Sequence, residues 1–261
     1  MEVPTSSAPV EDAPFIDMHC HLDFAPNAAS AAAELAACGA GAFAVTVTPA
    51  GFERASKDLA DNAAIRVGLG MHPWWVADGR VDECDVECFE ALASTTRFVG
   101  EVGLDFGPKH DTSRDVQLAA FERVAGACAG GGKLLSLHAV KAADAVLDVL
   151  DRCGALANNE CIFHWFSGSS DELQRVLHAG CFISINPRML ATKRGREYAR
   201  IIPADRLLLE TDAPPEGAPY EVAAEQVTLK RLLEEMAALR HVSPQELVTP
   251  IAETSTRLLG W

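Results

Sequence analysis

A chain of 261 residues has the size of one large domain, and α/β barrels commonly reach it. Its 49% hydrophobic and 23% charged residues are those of an ordinary globular protein, and no apolar run approaches the length that spans a bilayer. The formal charge of −15 argues against an extended groove that neutralises many phosphates, since such grooves depend on clustered lysine and arginine.

In chain order, the opening MEVPTSSAPVEDAP carries acids and prolines but no basic start and no apolar segment, so no secretory signal is expected. Residues 1–14 read as a flexible leader and 15–261 as one domain. Apolar runs of strand type follow at Phe15–His19, Ala42–Val47, Ile65–Gly70, Phe98–Val102, Leu134–His138, Cys161–His164, Cys181–Ile185 and Leu207–Glu210. Between them lie segments with helical apolar spacing, among them AASAAAELAAC, VDECDVECFEALAS, DVQLAAFERVAGACA, AADAVLDVLDRC, SDELQRVLHAG and TKRGREYARII. Alternation of this kind builds parallel βαβ units with right-handed connections, and eight strands in one series suggest closure into a barrel. An open doubly wound sheet is the alternative. Ser170 is expected to cap the helix after the sixth strand, Gly180 to end it, and Ser243-Pro244 to open a last short helix.

Several of these runs end on a side chain that can hold a metal: His19 and His21, Glu101, His138, His164 and Asp212. In a parallel barrel the carboxyl ends of the strands form the floor of the active site. Four imidazoles and two carboxylates gathered there suit one or two divalent ions, and two such ions clamp a phosphoryl group well. His19 and His21 alternate along one strand and so project to one face; the alternative is a turn residue beside a hydrogen-bonded core histidine. Asp17 falls on the same face and can brace a ligand. Glu101 is costly to bury unless paired or metal-bound, and a carboxylate can bridge two cations. Asp105 reads as a loop residue or as an orienter of an imidazole. Asp212 can ligate a metal and accept a proton from its water, with Glu210 two residues back on the same face. His72 lies outside this ligand set and is a candidate substrate contact, with Trp74 or Trp75 as a wall or only a cover. His110, His178 and His241 lie in a loop, a helix and near a helix end.

The eight cysteines are scattered, and only Cys84 and Cys88 are close; C-x3-C without a second pair is a weak zinc signal. Reduced thiols in the cytoplasm are the expected state.

The segments FIDMHCHLDF, GLGMHPWW, VGEVGLDFG followed by Gln117 and Phe121, SLHAV, FHWFSGS, GCFISINP and LLLETDAP resemble the TatD family of metal-dependent hydrolases, in order and over most of the chain. The resemblance implies a TIM barrel of the amidohydrolase type and a metal-dependent, deoxyribonuclease-like activity. It assigns metal binding to His19, His21, Glu101, His138, His164 and Asp212. Where the family carries an arginine two residues after the fifth-strand histidine, this chain has Val140, and Lys141 follows. The family's tyrosine and N-x-P element after the eighth strand are absent from PPEGAPYEVAAE, and Ser255 or Thr256 stands for an asparagine.

The expected molecule is a (β/α)8 barrel hydrolase with two divalent ions, zinc, manganese or magnesium. Its expected substrate is DNA, at ends or single strands, attacked by a metal-activated water with exonuclease-type 3'–5' polarity. A small phosphoester, or an ester, amide or lactone of a small molecule, is the enzymatic alternative; a non-catalytic metal-binding scaffold is the third. No membrane and no obligate protein partner are expected.

Overall fold

The computed structural model describes residues 14–261; the leader anticipated over 1–14 lies outside them except for its last residue. The anticipated strands are all present, as β1 Ile16–Cys20, β2 Gly41–Val45, β3 Ile65–Met71, β4 Phe98–Asp105, β5 Leu134–Val140, β6 Glu160–His164, β7 Phe182–Ile185 and β8 Leu207–Leu209. They pair in parallel in sequence order from β1 to β8. The ring is drawn together where Asp212 N donates to the His19 carbonyl at 3.0 Å and His21 N to that of Ala213 at 2.8 Å. The buried Asp17 carboxylate reinforces this seam, accepting from Thr211 N at 3.1 Å, Thr211 Oγ1 at 2.6 Å and the Tyr220 hydroxyl at 3.0 Å. The result is a TIM barrel, as expected.

The intervening helices are α1 Ala28–Ala37, α2 Pro49–Asp58, α3 Pro73–Ala77, α4 Glu83–Ala93, α5 Arg114–Cys128, α6 Ala143–Arg152, α7 Ser170–His178, α8 Pro187–Leu190 and α9 Lys193–Ile201. Two long helices, α10 Val222–Arg240 and α11 Pro244–Leu259, complete the chain. The cap of α7 is Ser169 rather than Ser170: its hydroxyl accepts from Glu172 N while the Glu172 carboxylate accepts from Ser169 N. Gly180 does stop that helix, at φ +81°. The helix opened by Ser243-Pro244 is not short but runs for 16 residues, because Pro250 sits inside it without ending it.

One end of the barrel is closed. Phe43, Leu134, Ile162, Phe182 and Leu208, near the strand starts, pack with Leu258 and Leu259 of α11 in one buried apolar cluster. Side chains with chemistry are thereby left to the carboxyl ends. Two glycines of the sequence motifs let the strands approach there: a Cβ on Gly70 would lie 1.6 Å from the Thr46 carbonyl oxygen, and one on Gly103 2.1 Å from that of His138. Gly103 also has φ +139°, a conformation other residues rarely adopt. Among the described residues, no helix is long and apolar enough to cross a membrane.

Candidate metal centre

Glu101, 1% exposed, lies at the middle of a ring of imidazoles contributed by separate strands. Its two oxygens face different partners. Oε2 lies 3.5 Å from His19 Nε2 and 3.3 Å from His21 Nε2. Oε1 lies 2.6 Å from His138 Nδ1, 2.8 Å from His164 Nε2 and 3.1 Å from His72 Nε2. Asp212 Oδ1 approaches the first group, 3.4 Å from His21 Nε2 and 3.6 Å from His19 Nε2. His19 and His164 stack between the groups, their ring centres 3.9 Å apart. All six residues that the sequence singled out as ligands are thus brought together from β1 and the residue that follows it, β4, β5, β6 and the turn after β8.

Donor atoms within 4.8 Å of one another fall into three overlapping triads among the described residues: His19–His21–Glu101, His19–His164–Asp212 and His72–Glu101–His138. His19 Nε2, His21 Nδ1 and His164 Nδ1 are buried without a hydrogen-bond partner, and the first of these faces the middle of the cluster. A buried imidazole nitrogen left unsatisfied is costly unless something else takes its lone pair. Nitrogen donors beside carboxylates are the ligand set of divalent transition metals. The residues therefore fit a metal centre.

Neighbouring groups fix the ring orientations. The Ser136 hydroxyl lies 2.7 Å from His19 Nδ1, so a proton on Nδ1 leaves the Nε2 lone pair for the centre. Asp105 holds His138 from the far side, its Oδ2 3.1 Å from Nε2, while Oδ1 accepts from Gly107 N at 2.7 Å. Both roles anticipated for Asp105, loop and orienter, are filled. Glu210 lies 3.6 Å from His164 Nδ1, at ion-pair distance; its carboxylate accepts from Trp165 N, Asn186 Nδ2 and the Ser184 hydroxyl. Asp17 braces His19 through the backbone N–H, at 3.3 Å, and not through the ring. Ser136 was missed because a serine inside LLSLHAV reads as ordinary strand alternation. Ser136→Ala is expected to weaken Mn²⁺ binding about 10- to 100-fold, the usual cost of losing an outer partner of a ligating histidine. Titration calorimetry against Mn²⁺, with circular dichroism as control, checks this.

His72, expected as a substrate contact outside the ligand set, lies within the cluster itself, its Nε2 beside Glu101. As cap of α3 its Nδ1 accepts from Trp74 N at 3.1 Å, which puts its proton on Nε2 beside Glu101. In that tautomer it is a hydrogen-bond donor to the centre.

Charge is shared through Glu101. Burial alone would raise its pKa, but the electrostatic pull of the neighbouring imidazoles, His72 and His164, and the hydrogen bonds from His138 and His164 hold it well below the carboxylate range. Burial opposes the charged form of His21, yet hydrogen bonds to Asp212 and Glu101 raise its pKa to about 10. His72, where burial prevails, is lowered to about 4. Three residues following the strand ends, Lys141, Trp165 and Asp212, have positive φ without being glycine (53°, 40° and 59°). Such backbone collects at functional sites, where the surrounding structure imposes it.

A parallel eight-stranded barrel with a histidine–carboxylate cluster at the carboxyl ends of its strands has the architecture of a barrel metal-hydrolase. Residues 16–260 match the model of the family described as TatD related DNase. The chain belongs to this family. It is 29% identical over 166 residues to the deoxyribonuclease Tat-D of Schizosaccharomyces pombe, a match covering 56% of this chain and 50% of that protein. It is 30% identical over 207 residues to the 3'-5' ssDNA/RNA exonuclease TatD of Citrobacter rodentium, covering 73% and 75%. The chain thus spans about half of the first relative and three quarters of the second. Among solved structures, a TatD homologue of Escherichia coli superposes with a TM-score of 0.73 at 24% identity, over 95% of this chain and 98% of that one, a likeness of fold.

Proposed function

We propose that the protein is a metal-dependent phosphodiesterase that trims DNA from strand ends, as a 3'–5' exonuclease. The observation that carries this reading is Glu101, whose two oxygens serve two separate sets of imidazoles. In this reading His19, His21 and Asp212 would hold one divalent ion and His138 and His164 the other, with Glu101 available to both. Imidazole-rich donors favour zinc or manganese, while magnesium prefers oxygen. Bound ions supply Lewis acidity at the phosphoryl group and bring the pKa of the attacking water toward neutrality.

The protein's own side chains supply the rest. Asp212, with 18% of its side chain exposed against 2% for Glu101, is the carboxylate that reaches the open side of the cluster. It orients the attacking water and takes its proton. Its Oδ1 lies beside the imidazoles of His19 and His21 at the end of β1. Glu101, closed in by imidazoles, is a ligand and not a base. His72 Nε2–H donates toward the phosphoryl oxygens as negative charge develops there. Deep burial of His19 and Ser136 keeps water away from the inner side of the centre.

The relatives' activities support DNA as the substrate, while the charge does not add to that support. With −15 formal charges and Val140 at the end of β5, few cations supplement the metals. A small phosphoester or carboxylic ester is the second reading, favoured by that shortage. A panel of single- and double-stranded DNA, a bis-aryl phosphodiester and an aryl ester separates the two: the first reading expects DNA to be turned over with the highest kcat/KM. The eight cysteines are all free, which supports a reducing, cytoplasmic setting.

Metal-free protein is expected to bind DNA weakly and with a shallow salt dependence. Each phosphate neutralised by lysine or arginine adds roughly 0.7–0.9 to the logarithmic slope, so a few contacts give only about −1 to −3. Fluorescence anisotropy across a salt series measures it; a steep slope with tight binding would reveal a basic groove and contradict the expectation.

A further inference from the structure

Trp74 is 41% exposed, which is unusual for so large an apolar side chain. It is nonetheless fastened at two points. Its backbone N–H donates to His72 Nδ1 at 3.1 Å, and its indole Nε1–H donates to Asp105 Oδ2 at 2.5 Å. The ring stands edge-on to the imidazoles of His72 and His138, at 5.0 and 5.8 Å between centres. His110 stacks alongside it, 5.6 Å away and 21° from parallel. The loop carrying His110 is itself pinned: the Gln117 amide donates to the carbonyls of Asp105 and His110 and to Ser113 Oγ, and accepts from Asp105 N.

An indole whose N–H is already bonded has only its π-face and edges left to offer. Here that surface stands beside the candidate metal centre and is held in place before any ligand arrives, so little rotamer entropy remains to be lost on contact. A nucleic-acid strand presents one kind of flat, largely apolar face next to its reacting phosphate, the nucleobase. In a duplex that face is covered by neighbouring bases; at an unpaired end or in a single strand it is free to stack on an aromatic side chain.

We propose that Trp74, backed by His110, is the stacking platform for the unpaired nucleobase adjoining the scissile phosphate. This rests on the phosphodiesterase reading above and narrows it to unpaired strands. Trp74 meets the substrate; His110 is a positioning residue that keeps the indole from turning away.

The test uses metal-reconstituted full-length protein and two single-stranded oligonucleotides, one unmodified and one abasic over its terminal residues. On the unmodified strand, Trp74→Leu should raise KM roughly 5- to 150-fold, the range expected for loss of one base–aromatic stack. On the abasic strand the same change should have little effect. Trp74→Phe keeps a ring but loses the hydrogen bond to Asp105, and should stay near the wild-type KM. His110→Ala should raise KM in the same direction, by less. In metal-free protein at high oligonucleotide concentration, the unmodified strand should quench tryptophan fluorescence in the wild type and less in Trp74→Leu. Equal losses on both strands, with Phe as damaging as Leu, would overturn the platform and leave Trp74 acting only through Asp105 and His138. An unchanged KM in Trp74→Leu would overturn it too. Wild-type protein that cleaves neither strand with zinc, manganese or magnesium would overturn the phosphodiesterase reading itself, and the platform with it.

Discussion

Replacing Glu101 by alanine is expected to remove most turnover, by about 10²- to 10³-fold in kcat, the scale on which a strong electrostatic element of a site is lost. Both of its oxygens are engaged, Oε2 with His19 and His21 and Oε1 with His138, His164 and His72, so no single neighbour can replace it. Metal binding should fall along with activity. Stability should not fall in proportion, because the side chain anchors imidazoles and contributes little to the apolar packing. Its removal leaves several buried imidazoles without a counter-charge, but they can lose their protons, which limits the cost. Far-ultraviolet circular dichroism and a thermal melt, alongside kinetics, separate the two effects. A folded variant with near-normal activity would contradict the assignment. Asp212→Ala is expected to behave similarly in kcat, but to retain more of the metal, since His19, His21 and Glu101 remain.

Metal removal should be equally severe. Dialysis against a chelator is expected to abolish hydrolysis, and manganese, zinc or magnesium to restore it. The reason lies in the site: its serine–histidine contact, Ser136 with His19, is fully buried beneath the cluster, where the hydroxyl orients the ring and no substrate reaches it as a nucleophile. Cys20, on β1 between His19 and His21, is turned to the other side, its thiol directed to the Phe43 carbonyl at 3.8 Å. Burial pushes that thiol well above its ordinary pKa, so it is no thiolate nucleophile. Elemental analysis of the chelated protein verifies that the metal is gone; full activity in metal-free protein would contradict the mechanism.

The barrel and the six ligand candidates were legible in the sequence for one physical reason. A strand buried on both faces must be apolar, so an isolated histidine or glutamate at its end stands out. FVGEVGLD and LLSLHAV carry that signal openly. What lay beyond reach depends on partners distant in the chain. Ser136 looks like any small strand residue until His19, on a strand opposite in the ring, is placed beside it. His72 was recognised as a strand-end histidine, but its place at Glu101 follows from a tautomer set by the Trp74 backbone N–H. Asp17 was expected to touch an imidazole and instead holds the seam between β1 and the turn after β8, with burial raising its pKa to about 7 against the hydrogen bonds it accepts. The shift of the α7 cap from Ser170 to Ser169 is of a different kind. Both serines can cap, and the reciprocal bond with Glu172, three residues after Ser169, selects the first. Of the two long C-terminal helices, α10 was not anticipated, and α11 was anticipated only as a short element because Pro250, which the helix carries through, reads as a stop.

The most direct measurement is digestion of a 5'-labelled single-stranded oligonucleotide by metal-reconstituted protein, resolved by length over time, with Glu101→Ala and chelated protein beside it. A ladder shortening progressively from the 3' end, absent in both controls, is the predicted result. An intact strand with every metal, or the same ladder in the Glu101→Ala lane, would contradict a metal centre that cleaves DNA from its ends.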